Sequence, residues 1–176
     1  MIPAVRTGLA ALSTLALVGC ACTNAHAQTS TEPTLLGQFE GWAAYTYKAK
    51  DTKVCYISAR PKSSDPKTAK RDPAFFLVTN MPGRKVKGEI STIIGYAFKK
   101  DSNATLKIDD ASFTLFTNAD GAWADTAQTE KKIVTAMKGG KLLTLKGTSW
   151  KGTSTTDIYA LDGVGQALAK IDDACK

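Results

Sequence analysis

The chain has 176 residues, 43% of them hydrophobic and 22% charged, with a formal net charge of +7. That length fits one domain plus a processed end, with ordinary globular composition and enough apolar material for a core. The lysines are scattered without the dense basic stripe of a nucleic-acid binder, so the charge points instead to acidic surfaces such as phosphate, lipid headgroups or anionic glycans.

Residues 1–27 read as a signal peptide. Arg6 is the only charged side chain among them, Gly8 to Gly19 is an apolar run, and Ala25-His26-Ala27 is the small-x-small pattern of a cleavage site. The apolar run is too short to span a bilayer comfortably as a permanent helix. An alternative lies inside it: Leu17-Val18-Gly19-Cys20 looks like a lipobox, which would end the leader at residue 19 and lipidate Cys20. Cleavage after Ala27 leaves an even pair of cysteines, Cys55 and Cys175, whereas cleavage before Cys20 also leaves Cys22 without an evident partner. The expected location is the periplasm, or a secreted or outer-membrane-associated state, with membrane anchoring only through a lipidated Cys20.

Residues 28–38 read as a flexible polar lead, and residues 39–176 as one domain. Phe39, Trp42, Tyr45 and Tyr47 spread through a first strand broken by Gly41, and Lys53 to Ala59 alternates as a second, with Cys55 and Ile57 on one face. Arg60 to Pro73 holds three prolines, two serines and five basic residues, which excludes a central strand and marks a long loop. Ala74 to Asn80 is a nearly continuous apolar strand closed by Met81-Pro82-Gly83, and Glu89 to Phe98 is another, with Gly95 as a bulge or kink. Ala104 to Ile108 and Ser112 to Thr117 form a hairpin turning at Asp109-Asp110, and Asp120-Gly121 signals a further turn. Asp125 or Thr126 caps a helix to about Met137, stopped by Gly139-Gly140.

Leu142 to Leu161 then reads as strand, turn at Lys151-Gly152, and strand, the central hairpin of the core. Asp162 is placed to cap a last helix over Val164 to Ala174, where Val164, Leu168 and Ile171 share a face. Many short strands with close turn signals and two short helices predict an all-β fold, an immunoglobulin-like β-sandwich.

In an oxidising compartment Cys55 and Cys175 most simply form one disulfide, which would pin the last helix to the sheet. A reactive thiol would need an environment that lowers its pKa, and the sequence shows none.

The only histidine, His26, falls in the leader, so the mature chain has no imidazole for Ser-His-Asp or Cys-His catalysis, for histidine zinc sites or for haem. No metal, cofactor or catalytic residue is expected. Asp109, Asp110, Asp120, Asp125, Asp157 and Glu89 are the carboxylates from which a glycosidase-like pair would have to come. Four of them fit turns or a cap. Asp157 stands inside a predicted strand, where aspartate is disfavoured, so it either bonds nearby backbone and threonine hydroxyls or marks a functional point.

Together these pieces resemble the invasion-associated locus B (IalB) family of exported bacterial proteins. The matching pieces are Trp42, Cys55-Tyr56, Pro61 with the basic loop to Arg71, Val78-Thr79 before Pro82, and Glu89-Ile90-Ser91 with Gly95-Tyr96. They continue with Phe113-Thr114-Leu115-Phe116, Ala122-Trp123, Ala136-Met137, Lys146-Gly147-Thr148-Ser149 with Gly152-Thr153, Thr156-Asp157 and Tyr159, and the ending Ala169 to Cys175. Two positions depart: arginine usually stands where Lys151 is, and phenylalanine where Val164 is. Losing the planar fork of arginine would matter if that turn bound a carboxylate or phosphate.

The resemblance implies a periplasmic or surface-associated sandwich, linked in pathogenic relatives to host-cell invasion and so a virulence factor there, and it brings no catalytic residue. The expected function is a non-enzymatic binding module whose basic face, Arg60, Lys62, Lys67, Lys70, Arg71 and Lys151, contacts an anionic envelope or host component. The alternatives are a structural or chaperone-like protein that pairs through a sheet edge, and a carboxylate-dependent hydrolase.

Overall fold

Trp42 and Ala160 lie near opposite ends of one long β-ladder, yet the indole N–H of Trp42 donates to the Ala160 carbonyl at 2.9 Å. In this computed structural model the chain divides into Met1–Ser30 and a compact unit, Thr31–Lys176. Residues 32–50, 52–67 and 70–176 are described. The segment expected to be a leader, with Cys20, lies outside them.

The strands are β1 (Thr34–Phe39), β2 (Trp42–Ala49), β3 (Thr52–Ala59), β4 (Ser63–Asp65), β5 (Phe75–Met81) and β6 (Val86–Ile93). They continue as β7 (Asn103–Ile108), β8 (Ala111–Asn118), β9 (Gly121–Trp123), β10 (Leu142–Thr148) and β11 (Ser154–Ala160). The helices are α1 (Ala127–Gly139) and α2 (Val164–Ala174). The ladder runs β1-β2-β3-β5-β6-β9-β8-β7-β10-β11-β4, and every pair in it is antiparallel.

The fold is the expected all-β sandwich with two helices, one of them C-terminal and disulfide-tethered. Its ladder is one continuous sheet that folds back on itself. The fold-over brings the Phe76 ring of β5 to 5.8 Å from the Tyr159 ring of β11, and Trp42 packs edge-on against Phe76 at 6.3 Å. Alternation supplies the core: Cys55, Ile57 and Ala59 from β3, Phe76 and Val78 from β5, Leu143 and Leu145 from β10. Both helices join the same core, α1 through Ile133 and Met137 and α2 through Val164, Ala167, Leu168 and Ile171.

The Cys55–Cys175 disulfide is present, with Cα atoms 6.0 Å apart at a sequence separation of 120. It fastens the end of α2 to β3. Lys53 Nζ reinforces the join by donating to the Ala174 carbonyl at 2.6 Å.

Several elements differ from the sequence reading. Residues 34–38, read as flexible lead, belong to β1 and pair with β2; the Leu35-Leu36 pair had been masked by its polar surroundings. The β10–β11 hairpin forms, but only three-residue β4 lies beyond it, so it is near the margin of the ladder and not its centre. The loop after β3 pairs briefly with β11 as that edge strand. Thr126 caps α1, its hydroxyl accepting from Thr129 N at 3.2 Å. Asp162 does not cap α2; Gly163 does, at φ +80°, and a Cβ there would stand 2.4 Å from the Phe39 carbonyl oxygen.

Candidate functional site

The six basic residues expected to form one face are parted by strand β11. The basic loop runs alongside it: Lys62 N donates to the Ile158 carbonyl at 2.7 Å, and Ser63, Ser64 and Asp65 pair with Ile158, Asp157 and Thr156. Arg60 and Lys62 therefore lie toward the Leu161 end of β11, and Lys70 toward the Thr153 end. Lys67 is exposed between them.

Arg71 does not belong to the surface set. Its side chain is 8% exposed and pairs with Asp157, which is fully buried. Arg71 Nη1 donates to Asp157 Oδ2 at 2.8 Å and to the Ile94 carbonyl at 2.8 Å, and Nη2 donates to Asp157 Oδ1 and, at 3.0 Å, to Ser64 Oγ. Ser64 Oγ donates to Asp157 Oδ1 at 2.6 Å. The bonded carboxylate raises the Arg71 pKa above its ordinary value, against the opposing effect of burial. This fork-on-fork pair explains an aspartate inside a strand: Asp157 is a buried anchor that ties the basic loop to the sheet. The sequence signal was Asp157 itself, because a carboxylate on a core-facing strand position calls for a cation.

At the Leu161 end, Arg60, Lys62 and Lys138 of α1 line a cavity of about 850 Å3, joined by Glu40, Asp162 and the first residues of α2. Arg60 also lies over the Phe75 ring at 5.6 Å. Lys138 was not singled out from sequence; only the fold brings α1 to that loop.

At the Thr153 end, Lys70 and Lys151 line a pocket of about 270 Å3 with Tyr96, Trp150, Thr153 and Thr155. Trp150 is 65% exposed, and Lys151 Nζ lies 5.0 Å from its ring centroid. The Tyr96 and Thr155 hydroxyls bond at 2.6 Å; burial raises the Tyr96 pKa, partly offset by that bond and by Arg71. Trp150 and Tyr96 were not named as site residues. An indole at a turn position was the available signal, since turns favour small polar residues.

The candidate carboxylates other than Asp157 occupy separate places. Asp109 accepts from Lys141 N at 3.0 Å and Leu142 N at 3.2 Å, locking a turn to β10. Asp110 and Asp120 lie in turns, Asp125 precedes the α1 cap, and Glu89 is on β6. Among the described residues no group of three His, Cys, Asp or Glu side chains is placed to hold a metal ion, and no helix is long and apolar enough to cross a membrane.

Fold and surface together define a disulfide-stapled β-sandwich with basic cavities at the two ends of one strand. The chain belongs to the invasion associated locus B (IalB) family, whose family model matches residues 42–172. Its fold is similar to that of a solved structure, invasion associated protein B from Bartonella henselae. The TM-score is 0.57 at 15% identity, over 78% of this chain and 96% of that one. A comparison with curated protein sequences found no match.

Proposed function

We propose that this protein is an exported, non-enzymatic binding module of the bacterial cell envelope, which grips an anionic envelope or host component through its basic cavities. The leader over 1–27 supports export, and the family's association with invasion supports a surface role. The observation that carries the reading is convergence: cations distant in sequence meet at cavity walls, Arg60 and Lys62 with Lys138, and Lys70 with Lys151. Binding fits better than turnover because the mature chain has no imidazole and its one fully buried carboxylate among those considered, Asp157, is held by Arg71.

The test is retention of the mature protein on an anionic glycan or lipid resin at physiological salt. Replacing Arg60, Lys62, Lys67, Lys70 and Lys151 by glutamine is expected to abolish retention; unchanged retention counts against the reading. Arg71 stays in place in that variant, because its loss would be felt as unfolding.

A second reading is favoured by β1. It ends the ladder, and among the described residues no strand pairs with its outer edge, so strand addition by a partner peptide has a place to occur. Protection of β1 amides from hydrogen exchange only when the partner is present is its signature.

A further inference from the structure

Basic charge alone attracts any anion, but the pocket at the β10–β11 tip offers more than charge. Among the described residues Trp150 is the most exposed of the large apolar side chains, at 65%. Its backbone N–H donates to the Ala97 carbonyl at 2.9 Å, Ser149 bridges Phe98, and Lys99 N donates to the Thr148 carbonyl at 2.8 Å. The turn itself is closed by Ser149 N to the Thr153 carbonyl at 2.8 Å and Thr153 N to Ser149 Oγ at 3.1 Å. The indole thus projects from a turn whose backbone is tied down on both sides, which limits the backbone ordering that binding must add.

Its surroundings are polar and of one sign. The pocket wall carries the hydroxyls of Thr153, Thr155 and Tyr96 and the ammonium groups of Lys70 and Lys151, and no carboxylate. Among the described residues neither ammonium has an acidic partner within salt-bridge distance. Lys151 covers part of the indole at 5.0 Å, and the remaining open area suits a flat face of C–H groups. A ligand matching all of this has a ring with one apolar face, hydroxyls at its rim and a negative group beside the ring.

We propose that the pocket formed by Tyr96, Trp150, Lys70 and Lys151 binds an acidic saccharide, with one sugar ring stacked on Trp150 and its carboxylate or sulfate held by the two lysines. This rests on the binding-module reading and names its ligand class and site. A lipid surface is the weaker match, because insertion favours several exposed apolar side chains together, whereas this indole stands among hydroxyls and ammonium groups.

The three tryptophans provide the readout. In the 15N-labelled mature protein, the indole N–H signal of Trp42, bonded to Ala160, reports the intact fold. Titration with a trimer of galacturonic acid is expected to shift the Trp150 signal saturably and leave that of Trp42 in place. The neutral galactose trimer should bind more weakly. Trp150→Ala should weaken the acidic trimer by about tenfold or more, equivalent to about 1.4 kcal/mol. Lys70→Gln with Lys151→Gln should bring its affinity down to that of the neutral trimer.

Equal affinity for acidic and neutral trimers overturns the assignment. So does binding that survives Trp150→Ala but is lost with Arg60→Gln and Lys62→Gln; that result keeps the binding module and moves its site to the wide cavity. Trp150-dependent binding to phosphatidylglycerol vesicles, with no trimer binding, replaces the saccharide by a lipid surface. Failure of the trimers, of inorganic phosphate and of the vesicles alike removes both the pocket assignment and the module reading.

Discussion

At the Leu161 end of β11 the cavity is wide, about 850 Å3, and mixes Arg60, Lys62 and Lys138 with Glu40 and Asp162. At the Thr153 end the pocket is about 270 Å3, has an indole and a phenol in its wall, and carries lysines without acids. From Ala160 in one wall to Thr155 in the other is about 17 Å of extended strand, so one small anion cannot touch both. The contrast teaches that charge and shape are dealt out separately. The wide end sets its cations beside carboxylates that partly cancel them, and the narrow end sets two lysines without acids beside an exposed indole, which is what the saccharide proposal rests on. Between them sits the Arg71–Asp157 pair, the common foundation of both.

The largest disturbance should fall on one end only. Cys175→Ser opens a 120-residue covalent loop and should cost about 4 to 5 kcal/mol of stability in urea unfolding. Because α2 floors the wide cavity, its amides should lose exchange protection while the Trp150 indole signal holds its position. Loss of both ends together would refute their independence.

Arg71→Ala should disturb both ends at once. It leaves the Asp157 carboxylate buried without its cation, at a cost of about 3 to 5 kcal/mol, and frees the loop that carries Lys62 and Lys70. A unilateral effect here would mean that the pair is not the shared anchor.

Two alanine substitutions separate the ends more finely. Gly163→Ala puts a Cβ against the Phe39 backbone at a left-handed φ and should cost about 1 to 3 kcal/mol, with the wide cavity distorted. Gly147→Ala puts a Cβ 2.6 Å from the Phe98 ring and 3.0 Å from Tyr96 Oη. It should cost about 1 to 3 kcal/mol through overpacking and move the Trp150 signal. Smallest of all, Lys138→Gln should change stability by no more than about 0.5 kcal/mol. It should still weaken phosphate binding at low salt, as measured by calorimetry.

The staple and both helices were legible in the sequence because each rests on local or arithmetic signals: two cysteines beyond the expected leader, Thr126 before an apolar stripe, Gly139-Gly140 after it. The β10–β11 hairpin was legible as an element, but not its marginal place in the ladder, since strand order is decided by contacts far apart in the chain. Strand β9 was missed because three residues hold no period. Arg71 was grouped with its neighbours because nothing in a loop's composition tells a buried guanidinium from an exposed one. Asp157 drew attention for the right reason, its misfit with a strand, but its partners are Arg71 and Ser64 and not the backbone and threonine hydroxyls expected for it. Trp150 was read as strand substance when its position at a turn set it apart.

The ladder's two margins are unequal. β4 offers three residues and gives way at once to Pro66, which has no amide hydrogen to donate. β1 offers six. Open-ended stacking of copies by sheet extension requires two receptive sides on each copy, and this molecule has one among its described residues. Copies that join through it meet like side to like side around a two-fold axis and stop at a pair, so a protein of this shape is guarded against growing into fibres by sheet extension.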